Sequence, residues 1–400
     1  NINYREDVMG EKDLPDYSIG KNLKISWSHT QDSKANPYQT FSANVNFSTS
    51  GYETNNINSY YNSELLSQNT KSSSISFTQR FPESPFSISL NVLATQRTKD
   101  SVINLSLPDI TVNMSRIYPF KRKKAIGKEL WYEKIALSYS GQISNSIETK
   151  ESKLLTSSFT RDWKNAANHY IPISASFNLF RYISVTPSAN YQERWYLKSI
   201  KKDWDNDNQT LTIDTVSGFY RVYDFNMGIN AQTKLYGFYT PIRAIFGDKI
   251  DRIRHVITPS VGFSYRPDFG NPFWNYWDTY NKNGSEVVYS RFENALYGTP
   301  SRGESGSINF SLANNLEMKV KEKMDTVTNE PIYKKISLID NFSFSGSYNL
   351  AADSMNWSNI SANIRIKIFK DFNINLSGSF EMYKYALNTS GNPVRVNTLR

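Results

Sequence analysis

Residues 252–269 read Arg-Ile-Arg-His-Val-Ile-Thr-Pro-Ser-Val-Gly-Phe-Ser-Tyr-Arg-Pro-Asp-Phe. Ile253, His255, Ile257, Pro259, Val261, Phe263 and Tyr265 fall on one parity, and Arg254, Val256, Thr258, Ser260, Gly262, Ser264 and Arg266 on the other. Side chains that alternate with a period of two belong to a strand. At about 3.3 Å per residue, this one is roughly twice as long as the five or six residues usual in globular sheets. That length suits a tilted strand crossing a bilayer.

The same alternation runs along most of the chain. It begins in 17–30 with Leu23, Ile25 and Trp27, continues in Phe41, Ala43, Val45 and Phe47, and stops in an Asn-, Ser- and Tyr-rich loop from about Ser50 to Thr70. Ile75 and Phe77 lead to the turn Phe81-Pro82-Glu83-Ser84-Pro85, after which Phe86, Ile88, Leu90 and Val92 resume the pattern. Beyond a turn around Lys99-Asp100, the apolar parity changes between Leu107 and Ile110. A slip at Pro108-Asp109 reads as a β-bulge, because proline lacks a ladder N–H and one extra residue flips the faces.

Further strands are predicted over 131–139, 171–177, 183–191 and 219–229, with loops over 148–168, 203–217 and 270–304. The closing strands alternate most cleanly, Ile360, Ala362, Ile364, Ile366 and Ile368 in one and Phe372, Ile374, Leu376 and Phe380 in the next. The pattern predicts about fourteen strands. Long interruptions and short turns alternate between them, the asymmetry of a barrel with short turns on its periplasmic side and long loops outside. The expected fold is therefore all-β, an antiparallel transmembrane outer-membrane β-barrel.

Composition supports this. Only 38% of the 400 residues are hydrophobic and mean hydropathy is −0.56, yet the chain holds 26 Tyr and 23 Phe. No apolar run approaches the 18 or so residues of a spanning helix. A barrel averages to a hydrophilic sequence because lumen and lipid positions alternate, and its Tyr and Trp gather at the membrane interfaces. A net charge of +9 suits an anionic partner, whether nucleic acid, acidic polysaccharide or lipid phosphate. Without Cys, disulfide and thiol chemistry are excluded here. The chain opens at Asn1 with neither Met nor an export signal, so it is expected to be a piece of a longer one, a single barrel domain over 1–400.

Several passages carry a family resemblance. They include His29-Thr30-Gln31-Asp32, Leu107-Pro108 with Tyr118-Pro119-Phe120-Lys121-Arg122-Lys123, and Trp131-Tyr132-Glu133-Lys134. Further along stand Tyr191 with Arg194-Trp195-Tyr196, Lys234-Leu235-Tyr236-Gly237, Arg254 to Ser260 and Tyr265-Arg266-Pro267-Asp268-Phe269. In this order they resemble the central barrel of the lipopolysaccharide-assembly family LptD, in its Bacteroidetes form. The resemblance implies an outer-membrane translocon component that inserts lipopolysaccharide into the outer leaflet. Its partners would be lipopolysaccharide, an LptE-like plug lipoprotein, periplasmic lipopolysaccharide-bridge proteins and outer-membrane lipids, with no nucleic acid and no cofactor. Relative to the family, the chain would lack the N-terminal jelly-roll and the C-terminal strands, and with them part or all of the lateral gate. The competing function is a general porin or receptor barrel passing small solutes, which shares the periodicity but needs neither plug nor lipid gate. A soluble aromatic-rich adhesin fits the strand length less well.

Transport of this kind needs no catalytic constellation, and none is expected. Candidate substrate-binding residues are Lys121, Arg122, Lys123 and Lys124, which read equally as a solvated basic turn, together with Arg254 and Arg266 on the polar parity. Pro108, Pro187 and Pro259 are candidate strand-weakening positions, and Val185-Thr186-Pro187-Ser188 echoes Ile257-Thr258-Pro259-Ser260. Asp203, Asp205, Asp207 and Asp214 have part of the spacing of a calcium loop, but Asn208 stands where glycine is expected and no helices flank it. His29, His169 and His255 lie too far apart in sequence to form a metal motif.

Overall fold

A computed structural model describes residues 1–49, 52, 70–97, 100–124, 126–242, 247, 249–324, 331–369 and 372–400. In chain order the strands are β1 (Ile2–Met9), β2 (Ser18–Thr30), β3 (Gln39–Ser48), β4 (Thr70–Arg80), β5 (Phe86–Arg97), β6 (Val102–Ile117) and β7 (Ala136–Lys150). They continue with β8 (Lys164–Ser174), β9 (Phe177–Leu179), β10 (Ile183–Asp205), β11 (Thr210–Thr233), β12 (Leu235–Tyr239), β13 (Ile250–Arg266), β14 (Trp277–Lys282) and β15 (Ser285–Ser290). The last are β16 (Ser305–Met324), β17 (Pro331–Asn349), β18 (Ile360–Phe369), β19 (Phe372–Phe380), β20 (Tyr383–Leu387) and β21 (Pro393–Leu399). Among the described residues, seventeen of these strands form one sheet, and β14–β15 and β20–β21 are separate two-stranded hairpins.

The sheet is an antiparallel meander in which successive strands pair, with β8 and β9 both on β10, β11 and β12 both on β13, and β13 on β16. Seventeen strands exceed the fourteen or so that periodicity predicts. Two of the extra strands are interruptions, since β8 and β9 share partner β10, and β11 and β12 share partner β13. The seventeen less these two occupy fifteen positions. The position missed by the pattern is β1, where Arg5, Glu6 and Asp7 put charge on both faces and erase the contrast. The polar stretch 203–217 is likewise not a loop. β10 and β11 stay paired to Asp205↔Thr210 around a tip at 206–209. Most of the Ser50–Thr70 stretch, and Lys99 of the predicted turn, lie outside the described residues.

Directly paired residues share a face, so the registers reveal what each face carries. One face is apolar from strand to strand. Phe41 pairs with Phe77, Phe77 with Leu90, Leu90 with Ile110, and Ile110 with Ile143. Further on, Ile229 pairs with Phe263, Phe263 with Ile308, and Ile308 with Tyr348. These side chains are not a soluble core: Ile143, Ile229, Phe263 and Leu376 remain 41–58% exposed. An exposed apolar band this wide marks a surface made for lipid.

The other face is polar with equal regularity. Ser260, Ser311, Ser345, Ser361 and Ser379 form one row across β13, β16, β17, β18 and β19. Its members elsewhere satisfy one another across strands: Ser76 donates to Asn91 (2.8 Å), Ser140 to Asn113 (2.7 Å), Gln192 to Asn168 (2.8 Å) and Asn190 to Asn226 (2.9 Å). Small hydrogen-bonding side chains leave this surface wettable without crowding it.

The three prolines sit at ladder defects. Leu107-Pro108 stands opposite single residues on both flanks, Val92 in β5 and Asn145 in β7, which is the expected bulge and keeps Leu105 and Ile110 on the apolar face. Pro187 faces the gap between β8 and β9, and Pro259 faces the gap between β11 and β12. Each is paired normally on its other flank, with Ile229 and Leu312. A residue without an N–H can serve one ladder but not both, so the two Thr-Pro echoes mark the same kind of break.

Candidate functional site

Connections alternate between two ends of the sheet. The turn end carries the 81–85, 118–135 and 180–182 connections; the loop end carries 151–163, the β10–β11 tip and 267–304. At the loop end, segment 267–304 straps across the polar face. Above Asn226, β11 has no β13 partner, and there Tyr276 Oη takes the Tyr223 N–H (2.9 Å) and donates to the Tyr223 carbonyl (3.1 Å). On the opposite edge of the hairpin, where β10 has outrun β8, the Ile200 N–H donates to the Arg291 carbonyl (2.9 Å). Between these anchors lies a packed cluster of Ala166, Tyr196, Val222, Phe269, Tyr276 and Phe292, with the Tyr196 and Phe292 rings 5.3 Å apart. Tyr196 Oη donates to the Gly298 carbonyl (2.8 Å). Burial pushes the Tyr297 phenol up to about 12, with the Asp109 carboxylate facing it adding to the rise. The strap therefore packs over β10 and β11, with Tyr297 within electrostatic reach of Asp109 on β6.

Arg254 and Arg266 lie on the same face of β13 and do different things. Arg266 Nη2 donates to the Gly303 carbonyl (3.1 Å) and ties down the foot of the strap. Arg254 lies toward the turn end, where its Nε donates to Glu317 Oε2 (3.0 Å) and Lys335 takes the other oxygen (2.6 Å). Around this triad is an open cleft of about 340 Å³, lined also by Phe238, Arg252, Lys319 and Tyr333. The Lys319 ammonium sits 3.8 Å over the Tyr333 ring and 3.3 Å from Asp251. Four cations against the single Glu317 carboxylate leave the lining net positive. Arg252, Lys319 and Lys335 are not legible as site residues from sequence; the register Arg254↔Glu317 and Lys319↔Lys335 brings them together.

The basic run Lys121–Lys124 also lies at the turn end, in the 118–135 connection, but is not one surface. Arg122 Nε and Nη2 grip both oxygens of Glu133 (2.6 and 2.9 Å), whose carboxylate also accepts from the Leu130 N–H (2.6 Å). The guanidinium, then the amide bonds, hold the Glu133 carboxyl at about 2. Lys121 pairs with Glu129 at 3.2 Å, so two of the four predicted binding residues shape their own loop. Lys123 and Lys124 are exposed.

The four aspartates do not converge. Asp205 caps the β10–β11 tip, accepting from the Asp207 and Asn208 N–H groups (2.9 and 3.1 Å), while Asp203 and Asp214 stand across from Thr212 and Lys201 along the ladder. Among the described residues no three His, Cys, Asp or Glu side chains gather as metal ligands. The spacing that resembles a calcium loop is that of an Asx-capped hairpin. The histidines are apart too: His255 shares a hydrogen bond with Asn314 (3.2 Å), and His169 with Tyr139 (2.7 Å).

An antiparallel wall with long strands, one lipid-suited face and one hydrogen-bonded polar face has the construction of an outer-membrane β-barrel protein. A family model described as LptD protein matches residues 1–383, and the chain belongs to the LptD family. No curated protein matches the chain. Among solved structures, a double mutant of the Serratia marcescens hemophore receptor HasR, in complex with its hemophore HasA and heme, aligns with 7% identity and a TM-score of 0.21. That alignment covers 91% of this chain, which spans 63% of the receptor's length.

Proposed function

We propose that this chain forms wall of the outer-membrane translocon that delivers lipopolysaccharide to the outer leaflet. The observation that carries the reading is the two-faced sheet: its polar rows offer a wet path to a phosphorylated sugar headgroup, while its apolar face keeps the wall in lipid. The basic cleft around Arg254, Lys319 and Lys335 at the turn end is where an arriving headgroup first meets positive charge. In this reading the turn end faces the periplasm, where bridge proteins hand over the lipid, and an LptE-like plug lipoprotein fills the lumen of the complete barrel. No step requires a covalent intermediate, so no residue is assigned a catalytic role.

Photo-crosslinking in cells tests it. A photoreactive residue at Asn226 or Ser311, on the polar face, is expected to capture lipopolysaccharide and the plug lipoprotein. The same probe at Ile229 or Leu312, on the apolar face, should capture bulk lipid. Adducts confined to the apolar positions, with free passage of small solutes, would leave the export reading without support.

A further inference from the structure

A second cleft, at the loop end, lies apart from the basic site and borders the strap's packed cluster. We propose that it binds an acidic saccharide unit, a sugar ring bearing a carboxylate or phosphate. Its volume is about 240 Å³, and it opens between the 161–165 segment, the part of β10 that has outrun β8, and residues 291–296 of the strap. That is roughly eight water volumes at about 30 Å³ each, room for a ring and not for a lipid tail.

Three properties of the wall point to this ligand. Arg161, Lys164, Lys198 and Arg291 line it against Asp162 alone. Arg161 is paired with that acid at 2.9 Å, Lys198 donates to the Arg161 and Trp163 carbonyls, and Arg291 Nη1 donates to the Asn275 carbonyl (3.3 Å), so the lining stays net positive with Lys164 exposed. Tyr196 and Phe292, stacked on each other and only 2–3% exposed, line it with buried apolar surface. Most telling is Ser199. It is 2% exposed and lines the cleft, as does Asn165, and among the described residues neither the Ser199 hydroxyl nor Asn165 Oδ1 has a hydrogen-bond partner. Buried polar groups are nearly always paired, so an unpaired donor and acceptor in one positively charged pocket mark the place of a missing polyhydroxylated, anionic partner. The chemistry is the same whether the sugar is free outside the cell or part of a lipid-linked glycan.

Calorimetric titration of the full-length protein, purified with its partners in detergent, tests the proposal independently of the export reading. D-glucuronate is expected to bind, with D-glucose and inorganic phosphate each at least about tenfold weaker. Ser199→Ala removes a hydroxyl that bonds to nothing, so the fold should be untouched while affinity for glucuronate falls about tenfold, the size of one hydrogen bond to a charged or polyhydroxylated ligand. Lys164→Gln should weaken binding and flatten its salt dependence. Absence of glucuronate binding, equal binding of phosphate alone, or unchanged affinity in Ser199→Ala would each overturn the proposal. Competition by detergent-solubilised lipopolysaccharide would identify the lipid-linked sugar as the occupant, and its absence a free saccharide.

Discussion

The two ends of the polar face are built from the same alternating strands and finished in opposite ways. At the loop end, Phe269 is fully buried, Val222 and Tyr196 nearly so, and the strap's polar groups are met by the free β11 edge and the Tyr196 hydroxyl. At the turn end, Arg254, Lys319 and Lys335 stand around an open cleft, 42–62% exposed, paired with carboxylates and, for Lys319, with the Tyr333 ring. Aromatic packing holds an arrangement in place, whereas charges left in water can exchange partners at little cost. One end of the same surface is made to persist and the other to receive.

This contrast can be broken from its rigid side first. Phe269 packs against Trp274 (5.1 Å) and Phe225 (5.8 Å). Phe269→Ala should cost about 3–5 kcal/mol of the strap's attachment, the range for deleting a buried aromatic side chain. The readout is proteolysis within 277–290, which should accelerate steeply while the sheet itself stays folded. A strap that remains protected would mean that its edge hydrogen bonds, not its packing, hold it.

At the open end the effect should be functional and the stability cost small. Neutralising Arg252 and Lys319 to Gln leaves the Arg254–Glu317–Lys335 triad intact and should change stability by less than about 1 kcal/mol, as for exposed ion pairs. Lipopolysaccharide capture by a photoprobe at Ser311 should drop about tenfold at low salt, and less at high salt as screening removes the attraction from the parent too. Equal capture in parent and variant would make the cleft a solvated patch.

The fold was legible where membrane and lumen impose opposite demands on alternate residues, as along 253–265 and 360–380. It was illegible where both faces meet water, and that is why β1 goes unread and the upper β10–β11 hairpin reads as loop. The Pro108 bulge could be read because a parity flip and a residue without an N–H coincide there. The meaning of Pro187 and Pro259 could not, since each lies opposite a gap in a strand that only the register locates. For the site, sequence offered basic residues by proximity along the chain, which selected Arg122 and Lys121, both busy within their own loop. The cleft instead joins β13, β16 and β17, drawing on residues some 60 to 80 positions apart in the chain, and no local motif carries that.

The smallest expected effect, and the sharpest test of what the basic run is for, concerns Glu133. Its carboxyl lies at about 2 in the folded loop against 4.5 ordinarily, held down chiefly by Arg122. A folded-state value below the unfolded one means that the ionised carboxylate stabilises the loop fully above about 4.5, and that this contribution is lost progressively as pH falls toward 2. Hydrogen-exchange protection of the Leu130 amide, corrected for intrinsic exchange, should therefore be flat from pH 7 to 5 and fall below 4.5. In Glu133→Gln it should be lower throughout and lack that step. A parent loop with no step would remove the Arg122 clasp, and would return Arg122 to the set of cations free to meet an anionic headgroup.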